Sequence, residues 1–212
     1  MRKPVIYTVG HSNHSIDFFL DLLQSFAINC VVDVRSVPAS SYNPQFNREP
    51  LSAFLRAHDL GYIHFGREFG ARHREPELLD SEGRVDFEKV QGTAAFRSGV
   101  MKLRKGLEEG YRLALMCSEA EPFDCHRFAM VSAVLIREGF EVLHILRDKT
   151  VKANSELEEQ LLKKYEKSIP RIDPWPSLFA PDITREEQVA MAYRLRNRDI
   201  GYSPYKKEEE RL

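Results

Sequence analysis

The chain has 212 residues, 42% of them apolar, which suffices for one cored domain with an appendage and shows no bias toward disorder. Lys and Arg number 31 against 32 Asp and Glu, a formal charge of -1, so there is no global cationic field of the kind that marks a nonspecific nucleic-acid binder, although a local basic patch stays open. Three cysteines are too few for a disulfide scaffold, and no apolar run approaches the roughly 20 residues of a bilayer span, so reduced thiols in a cytoplasm and no membrane partner are expected.

Val5 to Val9 reads as a first strand, and the chain turns polar at Gly10-His11-Ser12 before an apolar stretch of signal-peptide length, so no export signal is expected. Behind Ser15, a good N-cap, Ile16, Phe19, Leu20, Leu23 and Phe26 fall at helical spacing, with Asp17 well placed in the first turn. Cys30 to Val34 follows as a strand, which makes a right-handed βαβ unit. A helix over Pro50 to Leu60 ends before Gly61, and Tyr62 to Phe65 reads as a strand. A longer helix runs from about Asp86 to Glu109 and stops at Gly110, with Gly92 and Gly99 as points where it would break. Leu113 to Cys117 is a strand, and His126 to Glu138 a helix presenting Met130, Val131, Val134 and Leu135 inward before Gly139. Val142 to Leu146 is the last strand. Strands that are apolar throughout are covered on both faces. The fold class expected for residues 1 to 148 is therefore α/β, a three-layer αβα sandwich with a mostly parallel sheet.

Beyond Asp148 the texture changes, and residues 149 to 212 read as a helical C-terminal extension that packs on the core or on a partner. A charged helix carries Leu157, Leu161, Leu162 and Tyr165, and a passage with Pro170, Pro174, Trp175, Pro176 and Pro181 follows. Thr184 and Glu187 form a capping box for another helix with Val189, Met191 and Leu195, and the closing Lys-Lys-Glu-Glu-Glu-Arg-Leu is expected to fray.

In a parallel sheet the strand-to-helix loops open on one edge, so Gly10 to Asn13, Asp33 to Pro38, Gly66 to Arg74 and Cys117 to Arg127 are expected to share one crevice. Arginine at this density suits phosphate or carboxylate, which makes Ser12, Arg35, Arg72 and Arg127 the anion-binding candidates, with Arg67 nearby. Gly10 permits close backbone approach, and His11 and Ser12 would donate at the start of the first helix. A plain turn with helix capping reads equally well. Asp33 and Arg35 point to the same face, either as an internal ion pair or as ligand-binding groups, and the Ser36 to Arg48 loop is long enough for a flap.

Cys117-Ser-Glu119-Ala-Glu-Pro122-Phe-Asp-Cys125-His126-Arg127 is the densest chemistry in the chain. Glu119 disfavours a thiolate at Cys117 while Arg127 and helix N–H groups favour it, and a packed, inert Cys117 fits as well. Cys125, beside His126 and Arg127 at a helix start, is the better nucleophile, with His126 or His11 as acid/base and Glu119 as orienter. A zinc site of Cys117, Cys125, His126 and His11 is the metal alternative, although the eight-residue thiol spacing matches no usual zinc-ligand rhythm. Cys30 reads as core. His73, after Arg72 in a rim loop, is the one other histidine with a claim to the crevice. These residues specify no cofactor and no oligomeric state.

Thr8-Val-Gly10-His11-Ser12-Asn13, Val32-Asp33-Val34-Arg35-Ser36-Val-Pro38, Asn43-Pro44-Gln45-Phe46-Asn47 and Leu115-Met-Cys117-Ser-Glu119-Ala120, with Cys125-His126-Arg127 following, resemble the bacterial and archaeal family called domain of unknown function 488. The likeness spans residues 5 to 147; it implies an α/β fold and names no reaction. A weaker similarity is to rhodanese-like domains, which pair an Asp-x-Arg with a strand-end cysteine; here Arg127 lies ten residues past Cys117, unlike their compact anion cradle. Phe123 stands where a cysteine phosphatase would carry its arginine.

Three functions compete. The first is an enzyme, a cysteine-dependent hydrolase or transferase, acting on an anionic or phosphate-bearing small molecule, nucleotide or nucleic acid. The second is a noncatalytic nucleotide or nucleic-acid binding module in which the arginines and Phe46, Tyr42 or Phe65 hold phosphate and base. The third is a metal-binding Cys/His site.

Overall fold

The first helix starts where its chemistry requires: Ser15 is extended, and its hydroxyl accepts from the Phe18 N–H at 3.2 Å, which satisfies one of the orphan donors of helix α1 (Ile16–Ser25). The computed structural model describes residues 3–172 and 183–205. The expectations for Pro174, Trp175, Pro176 and Pro181 and for the closing charged run from residue 206 lie outside the described residues.

Strands β1 (Val5–Gly10), β2 (Cys30–Asp33), β3 (Gly61–His64), β4 (Leu113–Cys117), β5 (Glu141–Ile145) and β6 (Val151–Ala153) form one sheet in the order β3-β2-β4-β1-β5-β6. Every pairing is parallel except β5 with β6. Side chains alternate across it. Cys30, Val32, Leu113, Leu115 and Cys117 face one core, with Phe96, Phe128, Met130 and Leu161; Tyr7, Val9, Val31, Ala114 and Met116 face the other, with Phe19, Leu23, Leu51 and Leu55. The three-layer α/β sandwich expected from the sequence is the fold observed.

Helix α1 leads from β1 to β2 on one face of the sheet. The helical segment after β4 leads to β5 on the opposite face. β1 and β4 are neighbours from which the chain departs in opposite directions, so their carboxyl ends form the switch-point crevice where open α/β sheets bind ligands.

Several boundaries differ from expectation. Helix α2 spans Arg48–Ala57 rather than 50 to 60, because Asp59 takes a left-handed φ of 60°. A short α3 (Gly66–Phe69) follows β3. The helix expected over 86 to 109 breaks at Gly92, one of the two points named from the sequence, into α4 (Phe87–Gln91) and α5 (Ala94–Glu108), and Thr93, extended, caps Phe96 N with its side chain. Gly99 does not interrupt α5: a Cβ there would stand 2.7 Å from the Phe69 ring, so hydrogen is what lets the two helices touch.

The helix after the second thiol opens as a π-helix over Arg127–Ser132 before α6 (Ala133–Arg137), and Ser132 Oγ donates to the Arg127 carbonyl at 2.7 Å. The segment beyond residue 148 continues the sheet. β6 folds back on β5, and α7 (Asn154–Lys164) and α8 (Arg185–Ile200) pack on the same core through Leu157, Leu161 and Ala192. No helix among the described residues is long and apolar enough to cross a membrane.

Candidate functional site

β4 ends at Cys117, whose side chain points to the face covered by the π-helix. The loop then turns back through Glu119 and a 3-10 turn, Pro122–Asp124, to Cys125 and His126. Four donor atoms converge: Cys117 Sγ, a Glu119 carboxylate oxygen, Cys125 Sγ and a His126 ring nitrogen all lie within 4.8 Å of one another. Glu119 Oε2 is 2.8 Å from Cys117 Sγ and 3.1 Å from Cys125 Sγ. His126 Nδ1 is 3.6 and 3.8 Å from the same two sulfurs.

The orientation of the imidazole decides what the cluster can do. His126 Nε2 lies 3.2 Å from the Val34 carbonyl just past β2, a group that only accepts, so Nε2 carries a proton and Nδ1 is the nitrogen that faces the sulfurs, holding a second proton when the ring is charged and a lone pair when it is not. Metal-ligating histidines use this arrangement, with the remote N–H given to a backbone carbonyl. Donor atoms on a tetrahedron around zinc stand roughly 3.3 to 3.8 Å apart. The sulfur to Nδ1 distances match that spacing, and the sulfur to carboxylate distances are those of hydrogen bonds.

The cluster retains protons that a divalent cation would displace. Burial, the hydrogen bond with Cys125, and the charges of Cys125 and Glu119 push the Cys117 thiol well above its ordinary range. Burial and then the Cys125 charge raise Glu119, and the charge of Cys125 raises His126 against the effect of burial. Cys125 moves the other way. Its own burial is outweighed by the Cys117 hydrogen bond and the positive charges of Arg127 and His126. The Arg127 N–H also donates to Cys125 Sγ at 3.4 Å.

Gly10 makes room for this loop. A Cβ at position 10 would stand 1.9 Å from the Glu119 carbonyl oxygen, and His11 N and Ser12 N donate to the Cys117 and Ser118 carbonyls, both at 2.9 Å. Arg127, fully buried, fastens the same loop through Nη1 to the Glu119 carbonyl at 2.6 Å and Nη2 to that of Ala120 at 2.8 Å.

A second cluster occupies the other side of the rim. Arg35 grips Asp33 in bidentate fashion, Nε to Oδ1 at 2.9 Å and Nη2 to Oδ2 at 2.6 Å, with side-chain exposures of 6% and 0%. Its remaining donors reach the Phe46 carbonyl and His11 Nε2, and Tyr62 donates to Asp33 Oδ2 at 2.7 Å. The internal ion pair is the reading of Asp33-Val-Arg35 that the contacts match.

The four loops do meet at one edge, but not as one set. Cys117, Glu119, Cys125 and His126 come together. His11 does not join them: it stacks on Phe46, its Nδ1 serves the Ser12 carbonyl, and burial followed by the Arg35 charge lowers it to about 4. In the metal set sketched from sequence, Glu119 takes the place of His11. Arg127 lies under the loop rather than on the crevice wall. Ser12 bonds Asn13 at a left-handed φ of 47°. Arg72 is exposed, its backbone N–H held by Ser36 Oγ and its guanidinium 5.7 Å from the Tyr202 ring centroid. His73 is tied to Gly70 and Glu75 of its own loop. Cys30 is core, and burial raises its thiol to about 11. Sequence reasoning missed Tyr62, the Val34 carbonyl and Arg196 of α8, which donates to the Phe123 carbonyl and pairs with Asp124 between the two thiols. No sequence spacing links Arg196 to that loop.

The fold and the site together define an α/β sandwich with a Cys/Glu/His cluster at the switch point of a mostly parallel sheet. The chain belongs to the family described as domain of unknown function DUF488, whose sequence profile matches residues 15–134, a span that contains all four cluster residues. No curated protein and no solved structure matches it.

Proposed function

We infer that this protein is a zinc-dependent enzyme, with Cys117, Cys125 and His126 as ligands and Glu119 as the exchangeable fourth donor. The observation that carries the reading is the convergence of four donor atoms within 4.8 Å, with the His126 N–H already satisfied by Val34. Two thiols and one imidazole form a soft set suited to zinc. Two thiolates, a carboxylate and the buried Arg127 would also leave a site holding a divalent cation electrically neutral.

Exposure distinguishes the four ligands. Both cysteines are buried, whereas Glu119 is exposed as a residue even though its carboxylate is turned in against the sulfurs, so it is the ligand that water or substrate would displace. Zinc supplies a Lewis acid and lowers the pKa of bound water to about 7. Glu119, if displaced, would remain beside the cluster as the carboxylate able to accept a proton from water. The substrate class is anionic or phosphate-bearing, for which exposed Arg72 on the loop after β3 is the supporting residue. Three free thiols fit a reducing cytoplasm. A thiol nucleophile is the weaker reading, because Cys117 and Cys125 are only 3% and 1% exposed.

Elemental analysis of protein purified without chelator, followed by a screen of phosphate monoesters and diesters, tests the reading. About one zinc per chain, with turnover lost on chelation and restored by zinc, is the expected result. A metal-free protein that turns over substrate at full rate refutes it.

A further inference from the structure

A cavity of about 440 Å³ lies between α4, the π-helix and α6, α7 and α8, separate from the cysteine cluster. Its apolar wall is Phe87, Ile136 and Val189, with Ala129, Ala133 and Ala190 keeping the space open. That volume is within the range of small-molecule sites.

Of the four carboxylates in its lining, Glu88, Glu158, Glu159 and Glu186, Glu158 is the one at the end of a buried hydrogen-bond chain. Thr8 Oγ1 lies 2.8 Å from His144 Nδ1, His144 Nε2 lies 3.2 Å from Asn154 Oδ1, and Asn154 Nδ2 donates to Glu158 Oε1 at 3.0 Å. With the Thr8 hydroxyl donating to Nδ1, every hydrogen bond in this chain runs toward Glu158. The Tyr193 hydroxyl adds a second bond to the same Oε1 at 3.0 Å. Such a relay, starting inside the sheet, polarises its terminal acceptor. Glu158 is half-buried and has no ion-pair partner among the described residues.

Of the other charges of the lining, Glu186 is exposed with no ion-pair partner among the described residues, and the cations have contacts elsewhere. Arg185 pairs with Glu159, Arg194 pairs with Glu88 at 2.7 Å, and Arg137 spends its donors on the Gln91 side chain and the Ala133 carbonyl. Glu158 is thus a carboxylate with prearranged donors on one oxygen, an apolar chamber in front of it and no cation in direct contact among the described residues, Arg185 acting on it only from a distance. An unpaired carboxylate in such surroundings is costly unless a cation meets it.

We propose that this cavity binds a small organic cation, a primary or secondary amine with an apolar body, whose ammonium pairs with Glu158 while its body lies against Phe87, Ile136 and Val189. The site is independent of the zinc reading.

Calorimetric titration of the full chain with phenethylamine, hexylamine and putrescine, against the matching alcohols phenethyl alcohol and hexanol, tests the assignment. At least one amine saturates and binds at least about tenfold more tightly than its alcohol, and Glu158→Gln erases that preference. Ala190→Trp, which fills the chamber from its wall, abolishes binding of both classes. Thermal melts and metal content, the same in both variants as in the parent chain, separate this result from misfolding and from the cysteine site. Failure of all three amines to saturate, an amine bound no better than its alcohol, or an undiminished preference in Glu158→Gln overturns the proposal. So does a folded Ala190→Trp chain that still binds the amine.

Discussion

His126 turns its Nε2 to the Val34 carbonyl at 3.2 Å, so a residue at the start of one helix is registered against the end of a strand 92 positions earlier in the chain. The contact fixes which nitrogen faces the sulfurs. On the proposed zinc site, His126→Ala takes away one of the four donors and is expected to lower bound zinc to a small fraction of the parent value, while Cys30→Ala, in the core, leaves it unchanged. Elemental analysis of both variants decides the point. Equal zinc in His126→Ala and the parent contradicts the ligand assignment.

Gly10→Ala is expected to be more disruptive than its size suggests. The added Cβ would meet the Glu119 carbonyl oxygen at 1.9 Å and the Ala120 Cα at 3.0 Å, both in backbone that cannot rotate away. The loop must shift, at a cost of about 1–3 kcal/mol, and Glu119 shifts with it. Denaturant unfolding reads the first effect and zinc affinity the second. An unchanged midpoint would mean the loop has slack.

Removing one partner of the Asp33–Arg35 pair leaves a buried charge alone. Arg35→Leu is expected to cost about 3–5 kcal/mol, and Asp33→Asn combined with Arg35→Leu less than the sum of the two single changes. A double-mutant cycle by chemical denaturation measures the coupling. Strict additivity would show that the two side chains act independently.

Acid should destabilise the protein well before its carboxylates titrate. Burial, and after it the charge of Arg127, lowers His144 to about 3 from an ordinary 6.5, so the folded state holds this ring neutral. The unfolded chain binds the proton first, and stability falls as pH drops from about 6.5 toward about 3, by about 1.4 kcal/mol per pH unit from this residue alone. Unfolding free energies at pH 7, 6 and 5 for the parent and for His144→Asn test this. The variant should have the shallower slope, and identical slopes would remove His144 as the cause.

The sheet was legible because its strands are short, apolar and bounded by turn residues, and because Ser15 and Thr184 are caps whose chemistry is local. Five strands were read within a residue or two of their limits. The sixth, Val151–Ala153, was hidden because three residues of mixed character carry no period and owe their conformation to β5. The helix break at Gly92 was legible as a glycine, and the π-helix turns on a single hydroxyl. At the site, residue types pointed to Cys117, Glu119, Cys125 and His126, since reactive groups crowd one loop. His11 was grouped with them because it ends a neighbouring strand, but its side chain leaves on the opposite face, toward Phe46. Residue type offers Arg127 as an anion-binding arginine, and in the fold its guanidinium donates to two backbone carbonyls.

Arg196, near the end of α8, holds the loop that spaces Cys117 from Cys125. A nascent chain emerging from the ribosome amino end first therefore presents both sulfurs long before the residue that fastens their loop has been synthesised. During translation the thiols spend that interval without their clamp.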